Sequence, residues 1–558
     1  MRHVATWMLI GCGITLIASI SPLLGGDYLR DLQTDAIKLN RADFGHWGPD
    51  PDNYKLWSSH SNRLIPVYTF GTMNGPEQVD LRSYEWVKSP YRSEVELQRI
   101  YGRVPAETLN PQAEYFDQTN LFQIQQGALN AGKKHIFLVV FDGMDWQTTR
   151  AAAIYKTQSV GYSHGRGNGL HFQDYTAKGT TQFGFMCTSP HNNGTKVSAS
   201  QQTVLNPGGT LFGGYSSLLG GVNPWTSGNH PLYLISGNAD QGARHAYTDS
   251  SSSATSMTAG LKTYNNCVNL DFAGNPVSTI AHLAQEAGYA VGAVSSVPIS
   301  HATPAASYAH NVHRDDYQDL TRDLIGLRSV SHPEFSLSGL DVIIGGGFGD
   351  LRFQKGVKAD DQESSSGNNF VPGNAYLTEA DLQAIDYKNG GKYVTVTRMA
   401  GENGGKSLLT AAELACSQRH RLLGFYGVGK YGGHLPFATA DGDYNPTVGR
   451  SNKSEDYDPA DLEENPTLSE MTSAAIQVLS QNPKGFWLMM EAGDVDWANH
   501  DNNIDNSIGA VFSGDAAVKT ITDWVEQHSS WEESVLIVTA DHGHYLVLEH
   551  PELLRKPQ

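Results

Sequence analysis

From Lys134 onward, short apolar runs alternate with stretches of helical periodicity. Five runs stand out, at 136–141, 290–295, 342–344, 486–490 and 535–539, and each stops just before a polar or charged cluster. Runs that are apolar at nearly every position fit strands buried on both faces of a parallel sheet. With helix-period segments between them, they predict an α/β fold: a three-layer sandwich with a mainly parallel central sheet, helices on both faces and loop-rich insertions. Open sheets of this kind bind ligands at the carboxyl ends of their strands, so the clusters after the runs are where chemistry is expected.

Between these runs, residues from about 160 to 240 are rich in Gly, Ser, Thr and Asn and read as a loop-rich insertion, not a core layer. The stretches 355–375 and 437–466 read the same way. The chain has 558 residues, 39% of them hydrophobic, enough for a large core, and no internal repeat marks a solenoid or propeller. Residues 27–558 are therefore expected to form one catalytic domain. The net charge is −19, and Lys and Arg are dispersed, which argues against a nucleic-acid partner.

Residues 1–26 begin with Met1, Arg2 and His3, run apolar to about Leu24, and end in Gly25 and Gly26. This is the layout of an export signal, with an N-terminal membrane anchor as the alternative, and it predicts a periplasmic or extracellular protein. Without that leader three cysteines remain, Cys187, Cys267 and Cys416, so at most one disulfide can form, and their spacing matches no zinc motif.

Five segments carry candidate chemistry. Asp142-Gly143-Met144 places a carboxylate at a strand tip, followed by a residue that permits a sharp turn. In Thr248-Asp249-Ser250, Asp249 can cap a helix whose first turn holds Ser250, so a phosphate near that hydroxyl would meet free backbone N–H groups. His301-Ala302-Thr303-Pro304 leads to Arg314: Thr303 can offer a hydroxyl to a magnesium ion, and Arg314 a fork for two phosphate oxygens. His310 and His313 read as ordinary helix-face residues. Glu491 precedes Asp496 and His500, whose four-residue spacing puts both on one helix face, as two ligands of a single zinc require. Asp541-His542 closes the set at another strand end.

In this order, Asp-Gly-Met, Thr-Asp-Ser with Gly-x-Lys-Thr-Tyr-Asn, Ala-Thr-Pro-Ala with its Arg, Glu-x4-Asp-x3-His and Thr-Ala-Asp-His resemble the alkaline phosphatase family across residues 134–545. The resemblance implies a phosphate monoester hydrolase with Ser250 as nucleophile, a phosphoserine intermediate, two zinc ions, one magnesium, and often a homodimer. It implies Asp142, Asp541 and His542 at one zinc; Asp496, His500 and a further histidine at the other; Asp142, Thr303 and Glu491 at magnesium; and Arg314 on the phosphate. Such an arrangement suits in-line displacement.

One family feature is displaced. The remaining zinc histidine should lie well downstream of the Asp-His pair, yet the chain stops at Gln558. His60, in Trp57-Ser-Ser-His60-Ser-Asn-Arg-Leu-Ile-Pro-Val-Tyr68, resembles the family's late His-Thr strand, and Asp117 to Phe122 its closing helix. The expectation is a circular permutation in which residues 45–130 supply the C-terminal strand and helix. His60 is then the last zinc ligand, with His544 and His550 as rivals. His301 and Trp497 occupy positions that vary in the family. A phosphodiesterase of the same superfamily is the nearest enzymatic alternative, and a catalytically inactive secreted binding protein the non-enzymatic one.

Overall fold

The computed structural model describes residues 27–73, 79–235, 245–350 and 376–557. The leader at 1–26 and the stretch 355–375 lie outside the described residues. Among the described residues no helix is long and apolar enough to cross a membrane.

Ten strands form the central sheet: β1 (Ile65–Phe70), β2 (Phe116–Asp117), β3 (His135–Phe141), β4 (Gln182–Cys187), β5 (Ala290–Pro298), β6 (Val342–Gly346), β7 (Tyr393–Thr397), β8 (Arg421–Phe425), β9 (Phe486–Ala492) and β10 (Ser534–Thr539). Their order is β7-β8-β6-β5-β9-β3-β10-β1-β4-β2, and helices cover both faces. The first seven run parallel to one another. β1 alone runs against them, antiparallel to both β10 and β4.

The centre is apolar for a physical reason. β3, β9 and β10 each have neighbours on both edges and helices above and below, so nearly every side chain in them is buried. Among the helices are α1 (Thr119–Asn130), α2 (Ser250–Ala259), α3 (Tyr317–Leu324), α4 (Leu468–Leu479), α5 (Asp494–His500) and α6 (Ile504–His528). Helix α4 has an apolar face that lies on β5 and β6, while α6, with 25 residues, packs against α4, α5 and β9.

The loop-rich stretch does not stay out of the sheet. Its residues Gln182–Cys187 form β4, stitched to β1 from Ile65↔Met186 to Thr69↔Gln182. The strand escapes a reading by composition because Gly184 interrupts its apolar pattern and two of its six positions are only half-buried.

The topology positions the site. β5, β9, β3 and β10 are consecutive in the sheet and parallel, so their carboxyl ends lie side by side at one rim. Because β1 is antiparallel, the residues that precede it reach the same rim: Ser61 pairs with Gly543, and the Ser61 N–H donates to the Gly543 carbonyl at 2.7 Å.

Candidate active site

Each strand end at this rim delivers part of one cluster. β3 runs into Asp142-Gly143, where the positive φ of Gly143 (+73°) turns the chain and its N–H donates to Asp541 Oδ1 at 2.9 Å. A Cβ on Gly143 would meet the His544 ring at 2.8 Å and Asp496 Cα at 3.0 Å, so only glycine fits between these elements. β9 carries Glu491 next to its last residue and passes through Gly493 into α5, which carries Asp496 and His500. β10 is followed by Asp541 and His542, both fully buried. β5 leads to His301 and Thr303.

Ser250 opens α2, as the sequence implies. Asp249 caps the helix by accepting the Ser252 N–H at 3.1 Å, and Gly260 ends it in the left-handed conformation. Ser250 Oγ lies 3.4 Å from Asp142 Oδ1 and 3.2 Å from His542 Nε2, and is almost completely buried. Asp249 also pairs with Arg314 at 3.0 Å, while a second guanidinium nitrogen of Arg314 lies 3.2 Å from His301 Nε2. Burial works against ionisation of Asp249, but Arg314, the Ser251 hydroxyl and the Ser252 N–H outweigh it and hold the carboxyl at about 2.

The remaining expected ligands converge. His542 Nε2 lies 3.2 Å from Asp142 Oδ1 and 3.3 Å from Asp541 Oδ2. Asp496 Oδ1 is 3.6 Å from His60 Nε2, 3.5 Å from His500 Nε2 and 2.6 Å from His544 Nε2. The His60 and His542 rings stack at 3.6 Å. Glu491 accepts from the Ser295 hydroxyl and groups with Asp142 and His301.

The donor set fits metal ions on geometric grounds. His60 Nδ1 faces the Thr248 carbonyl at 2.9 Å and His500 Nδ1 faces the Ser58 carbonyl at 2.5 Å. A carbonyl only accepts, so both rings carry their proton on Nδ1 when neutral, and two Nε2 lone pairs oppose one another at 3.2 Å. Lone pairs at that distance need a shared electrophile, and a backbone carbonyl behind each ring is the usual support of a metal-binding imidazole. The carboxylates agree. Burial, then Asp541, Asp496 and Glu491, push Asp142 far above the usual carboxyl range, and burial lifts Asp541 to about 6 and Glu491 to about 8. Cations are what would let such crowded, buried groups ionise together.

His550 is exposed and pairs with Glu552 away from the cluster. His544 is inside it, aimed at Asp496. Both His310 and His313 sit in the turns between β5 and α3, not on a helix face, because the short helix Ala302–Ala305 ends before them. The 2.6 Å contact between His544 and Asp496 has no sequence signal beyond a second histidine two residues after His542.

A sequence model of the alkaline phosphatase family matches residues 233–552, more than half of the chain. Alkaline phosphatase of Escherichia fergusonii is 30% identical over 326 residues, covering 55% of this chain and 60% of that protein. Alkaline phosphatase H of Pseudomonas aeruginosa is 30% identical over 337 residues, covering 58% and 63%, and alkaline phosphatase 4 of Bacillus subtilis 26% over 299, covering 53% and 49%. The chain thus spans about half to just under two thirds of these relatives' lengths. A solved cold-active alkaline phosphatase from a psychrophilic Shewanella species is 21% identical, with 74% of this chain and 68% of that one covered at a TM-score of 0.42. With its matched stretch running through Ser250, Thr303, Arg314, Glu491, Asp496, His500, Asp541 and His542, this chain belongs to the alkaline phosphatase family.

Proposed function

We propose that the chain hydrolyses phosphate monoesters through a phosphoserine on Ser250. The observation that carries the proposal is the placement of the Ser250 hydroxyl at the start of α2, between Asp142 and His542 and one residue from the Asp249–Arg314 pair.

In this reading the Arg314 fork takes two phosphate oxygens, and Asp249 fixes its direction. Free N–H groups in the first turn of α2 add positive potential where the dianion sits. Ser250 gives up its proton as Oγ attacks phosphorus, the ester P–O bond breaks, and the alcohol leaves protonated. Water then attacks the phosphoserine, releasing inorganic phosphate and restoring the hydroxyl. Asp142, Asp541 and His542 would hold one zinc, Asp496, His500 and His60 a second, and Asp142, Thr303 and Glu491 a magnesium. Bound there, these ions supply the Lewis acidity that eases ionisation of the attacking oxygen and stabilises the departing one. Substrate reaches the site from the side of His500, whose side chain is 39% exposed while those of Asp142 and His542 are closed off.

The same reading takes 45–130 as the family's closing strand and helix moved to the front of the chain. Support comes from β1 lying antiparallel against β10 and from His60 facing His500 across 3.2 Å. It takes 1–26 as an export signal and the enzyme as periplasmic or extracellular. The test is hydrolysis of an aryl phosphate by residues 27–558 with zinc and magnesium, beside a diester and a chelator control. Chelator-sensitive turnover of the monoester, lost by roughly 10⁴-fold in Ser250→Ala, is the expected outcome. Preference for the diester would assign the chain to the neighbouring activity, and phosphate binding without turnover would make it a binding protein.

A further inference from the structure

A second group of metal-type donors lies outside the Ser250 cluster, where the turns after β5 meet the end of α3. A nitrogen of His310, a carboxylate oxygen of Asp323 and a nitrogen of His332 lie within 4.8 Å of one another, and all three residues are buried, at 6%, 0% and 5% exposure. Asp323 is in the last turn of α3, His310 is in the segment leading to Arg314, and His332 is in the loop after α3.

The hydrogen bonds around His310 fix its protons. Its Nε2 lies 2.9 Å from the Val277 carbonyl, which can only accept, so the proton sits on Nε2. The lone pair is then on Nδ1, which is buried and has no hydrogen-bond partner. An acceptor buried without a donor is costly, and neither Asp323 nor His332 offers it a proton. Asp323 is itself an acceptor, with Oδ1 taking the Ser329 hydroxyl at 2.6 Å and Oδ2 the His310 backbone N–H at 3.1 Å. His332 Nδ1 is already directed at Asp323, at 3.0 and 3.2 Å from its two oxygens. A direct His332–Asp323 pair therefore leaves the His310 lone pair unanswered.

We propose that His310 Nδ1, Asp323 and His332 Nδ1 bind a divalent cation, zinc by the softness of a two-imidazole, one-carboxylate set. Imidazole and carboxylate together suit zinc, whereas magnesium and calcium take oxygen. The supporting partners match those of metal ligands: a backbone carbonyl behind His310 and a hydroxyl on Asp323. Phe335, 60% exposed, stacks edge-on against the His332 ring at 5.2 Å, so the site lies one side chain below the surface and an ion can enter. The ion would tie the segment that carries Arg314, four residues beyond His310, to the end of α3. It is independent of what occupies the Ser250 centre.

The test counts zinc by elemental analysis in the full chain and in His332→Gln and Asp323→Asn after equilibration with zinc and removal of loosely held metal. Near-UV circular dichroism checks that each variant folds, and either variant suffices. The expected result is one zinc fewer per chain in a folded variant than in the parent. Because the reading is a difference, it holds whether or not the Ser250 centre is filled, so failure of the hydrolase proposal would not mimic failure here. Equal zinc in parent and folded variant overturns the proposal.

Discussion

The two sides of the central sheet bring residues to the same rim by different routes. On the parallel side, β5, β9, β3 and β10 each end at the rim, and each contributes residues at or just beyond its carboxyl end. On the other side β1 is antiparallel to β10, so it contributes residues ahead of its amino end, and His60 arrives five positions before Ile65. The family match from 233 to 552 covers β5, β9 and β10 but neither β1 nor β3. A site at a sheet's rim is thus assembled from strand ends that meet in space, whichever stretch of the chain each comes from.

The largest effect is expected from removing the contribution of the antiparallel side. His60→Ala is expected to lose one tightly held zinc per chain and to cut aryl phosphate turnover by at least about 10²-fold, since removing even a supporting partner of a metal ligand costs 10–100-fold. His550→Ala should change neither, and His544→Ala should keep the zinc count while loosening it, because His544 touches Asp496. Full zinc in His60→Ala would return the ligand to the matched stretch and end the permutation reading.

A smaller effect probes the parallel side. Arg314→Lys keeps the charge but loses the planar fork, and is expected to raise KM for the monoester by about 10-fold or more with the pH profile unchanged in shape. Steady-state kinetics decide it, and an unaltered KM would mean that Arg314 only braces Asp249.

The last effect falls on stability, not on turnover, and belongs to the edge beyond β1. Glu85 lies against Gly184 of β4, and burial, then Asp80 and Glu114, raise its carboxyl from 4.5 to about 8. Its folded-state pKa is above the unfolded one, so its contribution to stability is complete below pH 4.5 and is lost as pH rises through about 8. Glu85→Gln should flatten that part of the stability curve, on the order of 2 kcal/mol at pH 8 after solvent screening. Urea midpoints at pH 5 and pH 8 measure it, and equal slopes in parent and variant would refute it.

The strands that could be read from the sequence are those buried on both faces: β3, β5, β6, β9 and β10 each hold an apolar run, and their few polar residues, such as Ser295, Glu491 and Thr539, fall toward the ends. β7 and β8 carry no such signal: β7 is an edge strand with Thr395, Val396 and Thr397 half-exposed, and β8 is five residues broken by Gly424. The cluster at the rim was legible wherever a candidate ligand followed a strand within a residue or two, as Asp142 and Asp541 do. His310 was not, since its significance depends on Asp323 and His332, which join it only through the path of α3.

The pairing of β1 with β10 also has a consequence in time. The Pro66 carbonyl accepts from the Thr539 hydroxyl across 473 positions of sequence, and His60 meets His500 across 440. At roughly 5–20 residues per second of synthesis, β1 leaves the ribosome about half a minute to a minute and a half before the strand it pairs with. For most of that interval only β4 is available to pair with it, its other edge stays open, and contacts of such long range close slowly. Nascent chains of this protein should therefore depend on holding factors more than chains whose neighbouring strands are made close together.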